Sequence, residues 1–198
     1  MVINMKTTRP YVMRSRAEQT AETRQRILQA TLALAFERPI VGIALPDVAE
    51  RAQVSVQTVL RQFGSREALF DAAQHAAETE VRGERESRPG DVGHAVTTIV
   101  NHYERRGDGV LLLLGQESWE PRAASITASG RRLHRDWVRN VFGPLLPPDA
   151  PERETLTDLL VVATDVYAWK LLRRDRGLDP AETVARMRRM VAALLDRS

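Results

Sequence analysis

The stretch that decides the fold runs from residue 45 to residue 70. It reads Leu45-Pro46-Asp47-Val48-Ala49-Glu50-Arg51-Ala52-Gln53-Val54-Ser55-Val56-Gln57-Thr58-Val59-Leu60-Arg61-Gln62-Phe63-Gly64-Ser65-Arg66-Glu67-Ala68-Leu69-Phe70. Pro46 suits the first turn of a helix, where its missing N–H is not needed. Ser55 is a natural N-cap for a second helix, Gly64 stops that helix, and Ser65 caps a third. Between the first two lies a turn of only a few residues. Small or apolar residues, Val48, Ala49, Ala52, Val54, Val59 and Phe63, fall on the faces that must cross. Ser55, Gln57, Thr58, Arg61 and Gln62 fall on the opposite side, with donors and acceptors to offer.

Two short helices of this kind form a helix-turn-helix. The first packs across the second and holds it rigid, and the second is free to enter a DNA major groove, which admits one helix. The segment therefore predicts a reader of double-stranded DNA. Gln57 is the expected base reader, since a carboxamide can bind adenine at two points. Thr58 is expected on a base or a phosphate, and Arg61 on a phosphate. Arg66 opens a helix, and a helix N-terminus favours phosphate in its own right.

On these residues the chain resembles the TetR family of bacterial transcriptional regulators. The segment 45–70 follows that family's pattern without gaps, and Thr23-Arg24-Gln25-Arg26-Ile27-Leu28 in the preceding helix also matches. The resemblance is specific over roughly residues 20–70. It implies that Ser55, Val56, Gln57, Thr58, Leu60, Arg61, Gln62 and Arg66 form the DNA-binding surface, with Arg66 in the family's phosphate-contacting lysine position. It further implies a C-terminal domain that binds an effector and dimerises through its last long helices. The chain departs from the pattern at several places. Gln53 stands where the family has a turn glycine, and a left-handed conformation there costs a glutamine roughly 1 kcal/mol. Val56-Gln57 replaces Lys-Gly, Leu60 replaces a tyrosine, Gln62 a histidine, and Ala44 a capping threonine. Leu60 cannot donate a hydrogen bond, and Val56 offers only apolar contact, for instance to a thymine methyl.

The charge distribution agrees with a polyanion contacted at one end. The net charge of the 198 residues is +3, yet residues 1–70 hold ten bases against six acids, and the rest nineteen against twenty. Lys6, Arg9, Arg14 and Arg16 precede the first acid. A basic N-terminal third on a nearly neutral body concentrates the attraction for phosphates there. The absence of cysteine excludes disulfides, zinc-thiolate sites, iron–sulfur clusters and thiol nucleophiles. No apolar run is long enough to span a bilayer and no signal-peptide pattern opens the chain, so a soluble, cytoplasmic protein with no membrane partner is expected.

Outward from the central motif, helical periodicity dominates and strand signals are scarce. A first helix is expected from about Ser15 to Glu37, with Ser15 and Glu18 at capping-box spacing, Thr20 as an alternative cap, and Pro39 as the stop. Gly83 to Asp91 reads as a loop. A helix over 92–105 is expected to break at Gly107-Asp108-Gly109, with a short apolar helix over 110–116 after it. Further helices are expected over 121–142 and from Glu152 to about Asp175. The last starts at Asp179-Pro180-Ala181-Glu182, a cap, a first-turn proline and an acid three residues after the cap.

The fold class that results is all-α: an N-terminal three-helix helix-turn-helix DNA-binding domain followed by a helical ligand-binding and dimerisation domain. The organisation is a basic arm and the start of helix 1 over 1–19, the DNA-binding domain over 20–66, and the ligand-binding and dimerisation domain over 67–198. In Leu159-Leu160-Val161-Val162-Ala163 apolar residues go all the way around the helix, which requires burial on several sides. Together with the stripe of the last helix this predicts a symmetric interface carried by Leu159, Val162, Val166, Val184, Met187 and Val191. A ligand site among the middle helices is expected from aromatic and polar groups at inward positions, namely Tyr103, Gln116, Trp119, His134, Trp137 and Tyr167. Each of these also suits an ordinary core position.

The reading is a ligand-responsive regulator, a repressor binding a palindromic operator as a homodimer and released by a small-molecule effector of unknown identity. Activation and non-specific architectural binding of DNA are the alternatives within the DNA-binding class. A small helical enzyme is the alternative outside it. Against an enzyme stands the lack of HExxH, Walker, GxGxxG and GxSxG patterns. The four histidines have no metal-ligand spacing, and no metal or cofactor is expected.

Overall fold

A computed structural model describes residues 9–196, with side chains from residue 16 onward. Lys6 and the side chains of Arg9 and Arg14, expected in a basic arm, lie outside the described residues. Helices α1 (Arg9–Glu37), α2 (Leu45–Arg51), α3 (Val56–Phe63), α4 (Arg66–Glu84), α5 (Val92–Leu114), α6 (Pro121–Phe142), α7 (Ala150–Ala163), α8 (Val166–Lys170) and α9 (Pro180–Leu195) follow one another, with no strand among the described residues. The chain divides into two compact units, one of residues 1–34 and 42–76, the other of residues 35–41 and 77–198.

In the first unit, Ile27, Leu28, Ala30 and Leu34 of α1 are buried, as are Val48 and Ala49 of α2, Val59 of α3 and Leu69, Phe70 and Ala73 of α4. Of the crossing positions that the sequence predicts, Val48, Ala49, Ala52 and Val59 are buried, and Val54 and Phe63 are half-buried. Helix α1 begins at Arg9, so Ser15 lies inside it and does not cap it. The Thr20 hydroxyl donates back to the Arg16 carbonyl at 2.8 Å, an intrahelical bond that also rules it out as a cap. Ala44 has no side-chain oxygen to cap α2, but Asp47 reaches back and accepts the Ala44 N–H at 2.7 Å.

The second unit is built around α5, with Val96, Ile99, Val100 and Tyr103 fully or almost fully buried against Val138, Val141 and Phe142 of α6, Leu160 of α7, Trp169 of α8 and Met187 and Val191 of α9. The expected break at Gly107-Asp108-Gly109 does not occur, because α5 runs unbroken through it to Leu114. A Cβ at Gly107 would lie 2.4 Å from the Trp169 ring, and one at Gly109 would lie 2.4 Å from the Phe36 ring. The two glycines are there for close approach. Their helix-weakening cost, about 1 kcal/mol each, is offset by the packing they admit.

Two other boundaries differ from the expectation. Helix α4 extends through Gly83 to Glu84, so the connecting segment is shorter than 83–91. The helix expected from Glu152 to Asp175 is two helices with a break at Thr164-Asp165, followed by a π-helical turn over Leu171–Asp175. At the break the Thr164 hydroxyl donates to the Leu160 carbonyl at 2.7 Å, and the Asp165 carboxylate accepts the Tyr167 N–H at 2.9 Å and caps α8. Helix α6 starts and ends, and α9 starts, where the sequence predicts. Asp179 caps α9 by accepting the Glu182 N–H at 2.8 Å.

Candidate nucleic-acid interface and interior site

Helix α3 is fixed at both ends. The Ser55 hydroxyl accepts the Thr58 N–H at 3.1 Å and lies 2.9 Å from the Thr58 hydroxyl. At the other end Gly64 takes φ +81°, and its N–H returns to the Leu60 carbonyl at 2.7 Å. Arg24 of α1 donates to the Gln62 carbonyl at 3.0 Å and stacks 4.3 Å over the Phe63 ring. A guanidinium there satisfies a terminal carbonyl and complements the negative end of the helix. The sequence reading did not single out Arg24, although its place on the matching stretch of α1 was the available signal.

The turn before α3 holds Gln53 at φ +55°, the left-handed region, and no other non-glycine residue among those described lies there. The strain anticipated from a glutamine at this position is therefore present.

With the inner face buried, the outer face of α3 is open. Gln57 and Arg61 are exposed, Leu60 is 40% exposed, and Val56, Thr58 and Gln62 are half-buried. Ser55 is exposed at the start. These seven residues thus lie on or beside one solvent-facing helix surface. Arg66 differs from the others. It is half-buried, its Nε donates to the Ile43 carbonyl at 2.9 Å, and its guanidinium sits 4.6 Å over the Phe70 ring. It braces the link before α2 as well as facing the start of α4.

Residues 27–73 match the family model described as bacterial regulatory proteins, tetR family. Solved structures share the fold over most of the chain. A transcriptional regulator from Rhodococcus superposes with a TM-score of 0.66 at 20% identity, covering 88% of this chain and 96% of its own. A TetR-family regulator from Streptomyces coelicolor gives 0.68 at 19% identity, over 88% and 80%. A TetR regulator from Streptococcus agalactiae gives 0.58 at 20% identity, over 90% and 98%. No curated protein matches the chain. The matched segment thus contains the whole helix-turn-helix, α2 and α3 together. No helix among the described residues is long and apolar enough to cross a membrane.

In the second unit the structure separates the expected ligand residues. Tyr103, His134 and Trp137 are buried near one another, with the His134 and Trp137 rings stacked at 5.6 Å and the Tyr103 hydroxyl donating to the Thr164 carbonyl at 3.1 Å. Gln116 is buried, but both ends of its amide are structural. Its oxygen accepts the Ile40 N–H at 2.9 Å and its nitrogen donates to the Leu112 carbonyl at 2.8 Å. Tyr167 was expected to continue an inward stripe and is instead 52% exposed, and Trp119, expected among the ligand groups at the break after a short helix, is 55% exposed. For Tyr167 the cause is the break at Thr164-Asp165, which ends the stripe of Leu156, Leu160 and Ala163 before it reaches residue 167. Trp119 lies in the turn after α5.

The dimer residues divide in the same way. Val166, Met187 and Val191 are buried in the unit's own core, so they have no surface to offer a partner, and Val184 is half-buried. Leu159 and Val162 are 46% and 67% exposed, one turn apart on α7. The apolar circumference of α7 is therefore used on one side by the core and left open on the other.

A polar cluster that the sequence reading missed runs through this core. Arg85 is buried, and its Nη2 lies 2.7 Å from His102 Nε2. Arginine only donates, so Nε2 accepts and the His102 proton sits on Nδ1, from which it donates to Glu84 at 2.8 Å. Burial, and next the charge of Arg85, push the His102 pKa down to about 3. Burial and the same charge push His134 to about 3. Burial by itself would raise Glu84, but hydrogen bonds from Arg106 and His102 hold it at about 2. Both histidines are therefore neutral in the folded protein at ordinary pH. Arg85 was passed over because Gly83–Asp91 is a charged stretch, and no local pattern marks one arginine in such a stretch as buried.

Proposed function

We propose that the chain is a ligand-responsive repressor that binds a palindromic operator as a homodimer and is released by a small-molecule effector. The observation that carries the reading is the capped, rigid α3 with its apolar face buried and Gln57, Leu60 and Arg61 exposed on the other. Gln57 reads bases, Val56 and Leu60 make apolar contact in the groove, and Ser55, Thr58, Arg61 and Gln62 hold bases or phosphates. Arg66 supports the reading head from the Ile43 carbonyl and shares in phosphate contact. Residues 1–19 supply a basic arm and the start of α1, residues 20–66 the reader, and residues 67–198 the sensor and dimer face.

Leu159 and Val162 form the centre of the dimer face, joined by the exposed Leu171 and Met190. Two reading heads about one DNA turn apart (~34 Å) then meet an inverted repeat. The effector binds the sensor unit and prefers the arrangement that does not fit the operator. Useful release needs affinities for the two states that differ by a few kcal/mol.

The experiment is selection of duplexes from a random library by the full-length protein, repeated with Gln57→Ala. The expected result is an inverted-repeat site with salt-sensitive affinity and a base preference that relaxes at one position per half-site in the variant. Unchanged preference would remove Gln57 from its role, and absence of any sequence-selective binding would remove the whole reading.

A further inference from the structure

We propose that the cavity beside Arg85 is a site for an organic carboxylate on an apolar body, an inference that rests on the ligand-responsive reading and narrows it to a class of ligand. The cavity has a volume of about 870 Å³, enough for a drug-sized molecule. It lies within the second unit, between the end of α4, the segment that follows, the start of α5, and α6. Val81, Leu133 and Trp137 supply apolar wall, and Arg85 and Ser87 supply polar groups. The Trp137 N–H is already used, donating to the Arg85 carbonyl at 2.8 Å, so the indole brings no free donor to an occupant.

The feature that selects the ligand is the charge of Arg85. Its residue is only 8% exposed, yet no carboxylate pairs with it among the described residues. Nη2 is spent on the neutral His102, Nε is sealed from solvent without a hydrogen-bond partner, and the guanidinium lies 5.6 Å from the Tyr103 ring, so no group beside it carries a compensating charge. The two nearest acids are engaged elsewhere. Glu84 is taken by His102 and by Arg106, whose Nη2 lies 2.8 Å from Oε1. Asp165 caps α8. A buried cation without a countercharge is costly, and the cost falls when an anion with matching geometry arrives. A carboxylate brings a full countercharge to the guanidinium, which a neutral amide of the same shape cannot do. Around the mouth the exposed Arg82 and Arg88 face the exposed Glu86, Asp91 and Asp136. Those charges are solvated and of mixed sign, so the desolvated Arg85 dominates the field inside.

The test uses the full-length protein and two matched pairs of probes, benzoate with benzamide and hexanoate with hexanamide. Binding is followed by calorimetry and by tryptophan fluorescence. Each acid is expected to bind at least ~10-fold more tightly than its amide. Arg85→Gln is expected to bring the acid down to the level of the amide. Asn140→Trp, at an exposed position on the cavity wall, is expected to weaken acid binding by a similar factor through bulk alone. Equal binding of acid and amide would overturn the proposal, as would no binding of either acid, or acid binding indifferent to Asn140→Trp. Should Arg85→Gln fail to fold, the acid-to-amide ratio of the unaltered protein and the Asn140→Trp variant still decide. The same probes are then added to the protein bound to its selected duplex. Acids that bind in the cavity but leave the DNA bound would uphold the site and overturn effector release. Amides that release the DNA while acids do not would uphold release and overturn the carboxylate.

Discussion

Lowering the pH from 7 to 5 should destabilise the second unit steeply, and the size of the effect follows from two buried histidines. His102 and His134 are 1% and 5% exposed, and both have pKa values of about 3 in the folded protein against 6.5 for a free imidazole. Between pH 6.5 and pH 3 the unfolded chain therefore binds protons that the folded chain refuses. Stability is complete above pH 6.5 and is lost as the pH falls through this window. Each histidine contributes a slope of about 1.4 kcal/mol per pH unit once its unfolded form is fully protonated. Integrated from pH 7 to pH 5 this is about 2 kcal/mol per histidine, or about 4 kcal/mol for the pair. That is a large part of the 5–15 kcal/mol that a domain typically possesses. Glu84 adds to the loss only below about pH 4.5, where its unfolded form begins to protonate. The assay is urea unfolding at pH 8, 7, 6 and 5, at fixed protein concentration and ionic strength. Tryptophan emission reports on the right unit, because Trp119, Trp137 and Trp169 all belong to it. His134→Gln should halve the dependence on pH whatever it does to stability at pH 8. A midpoint that stays constant from pH 8 to pH 5 would refute the reasoning, because it would mean that the two imidazoles titrate in the folded state as they do in water.

Four further outcomes are expected. Gln53→Gly should stabilise the first unit by roughly 0.5 to 1 kcal/mol in thermal or urea unfolding, because it releases the strain at φ +55°. Gly107→Ala should destabilise by about 2 kcal/mol, since the new methyl would lie 2.4 Å from the Trp169 ring. Gly130→Ala, also inside a helix but with nothing within 4 Å of the new methyl, should stabilise by about 1 kcal/mol. If both glycine variants moved in the same direction, close approach would not be what distinguishes the two sites. Leu159→Glu and Val162→Glu should leave the helical content unchanged and shift the protein toward monomer in analytical ultracentrifugation; a sedimentation coefficient equal to that of the unaltered protein would remove α7 from the interface.

The helix-turn-helix was legible in the sequence because its determinants are local. A proline in the first turn, a serine cap, a glycine stop and a run of small residues all act within a few positions of one another. The backbone answers them whatever lies farther away. The same holds for the start of α9 at Asp179 and for the strain at Gln53. The sequence by itself therefore determined the helix-turn-helix, the residues at which its helices cross, and the all-helical class.

What only the tertiary structure decided depends on contacts between residues far apart in the chain. Gly107 and Gly109 look like a helix break until Trp169 and Phe36 are seen pressed against them. Tyr167 looks like the continuation of an inward stripe until the cap at Asp165 restarts the helix. Met187 and Val191 have the periodicity of an interface, but periodicity marks a face as apolar without saying whether its own chain or a second one covers it. Arg85 sits in a charged run that reads as solvated surface, and its burial beside an open cavity comes from α5 and α6 closing around it. Short-range hydrogen bonding and steric preference are written residue by residue, whereas burial is a property of the assembled packing.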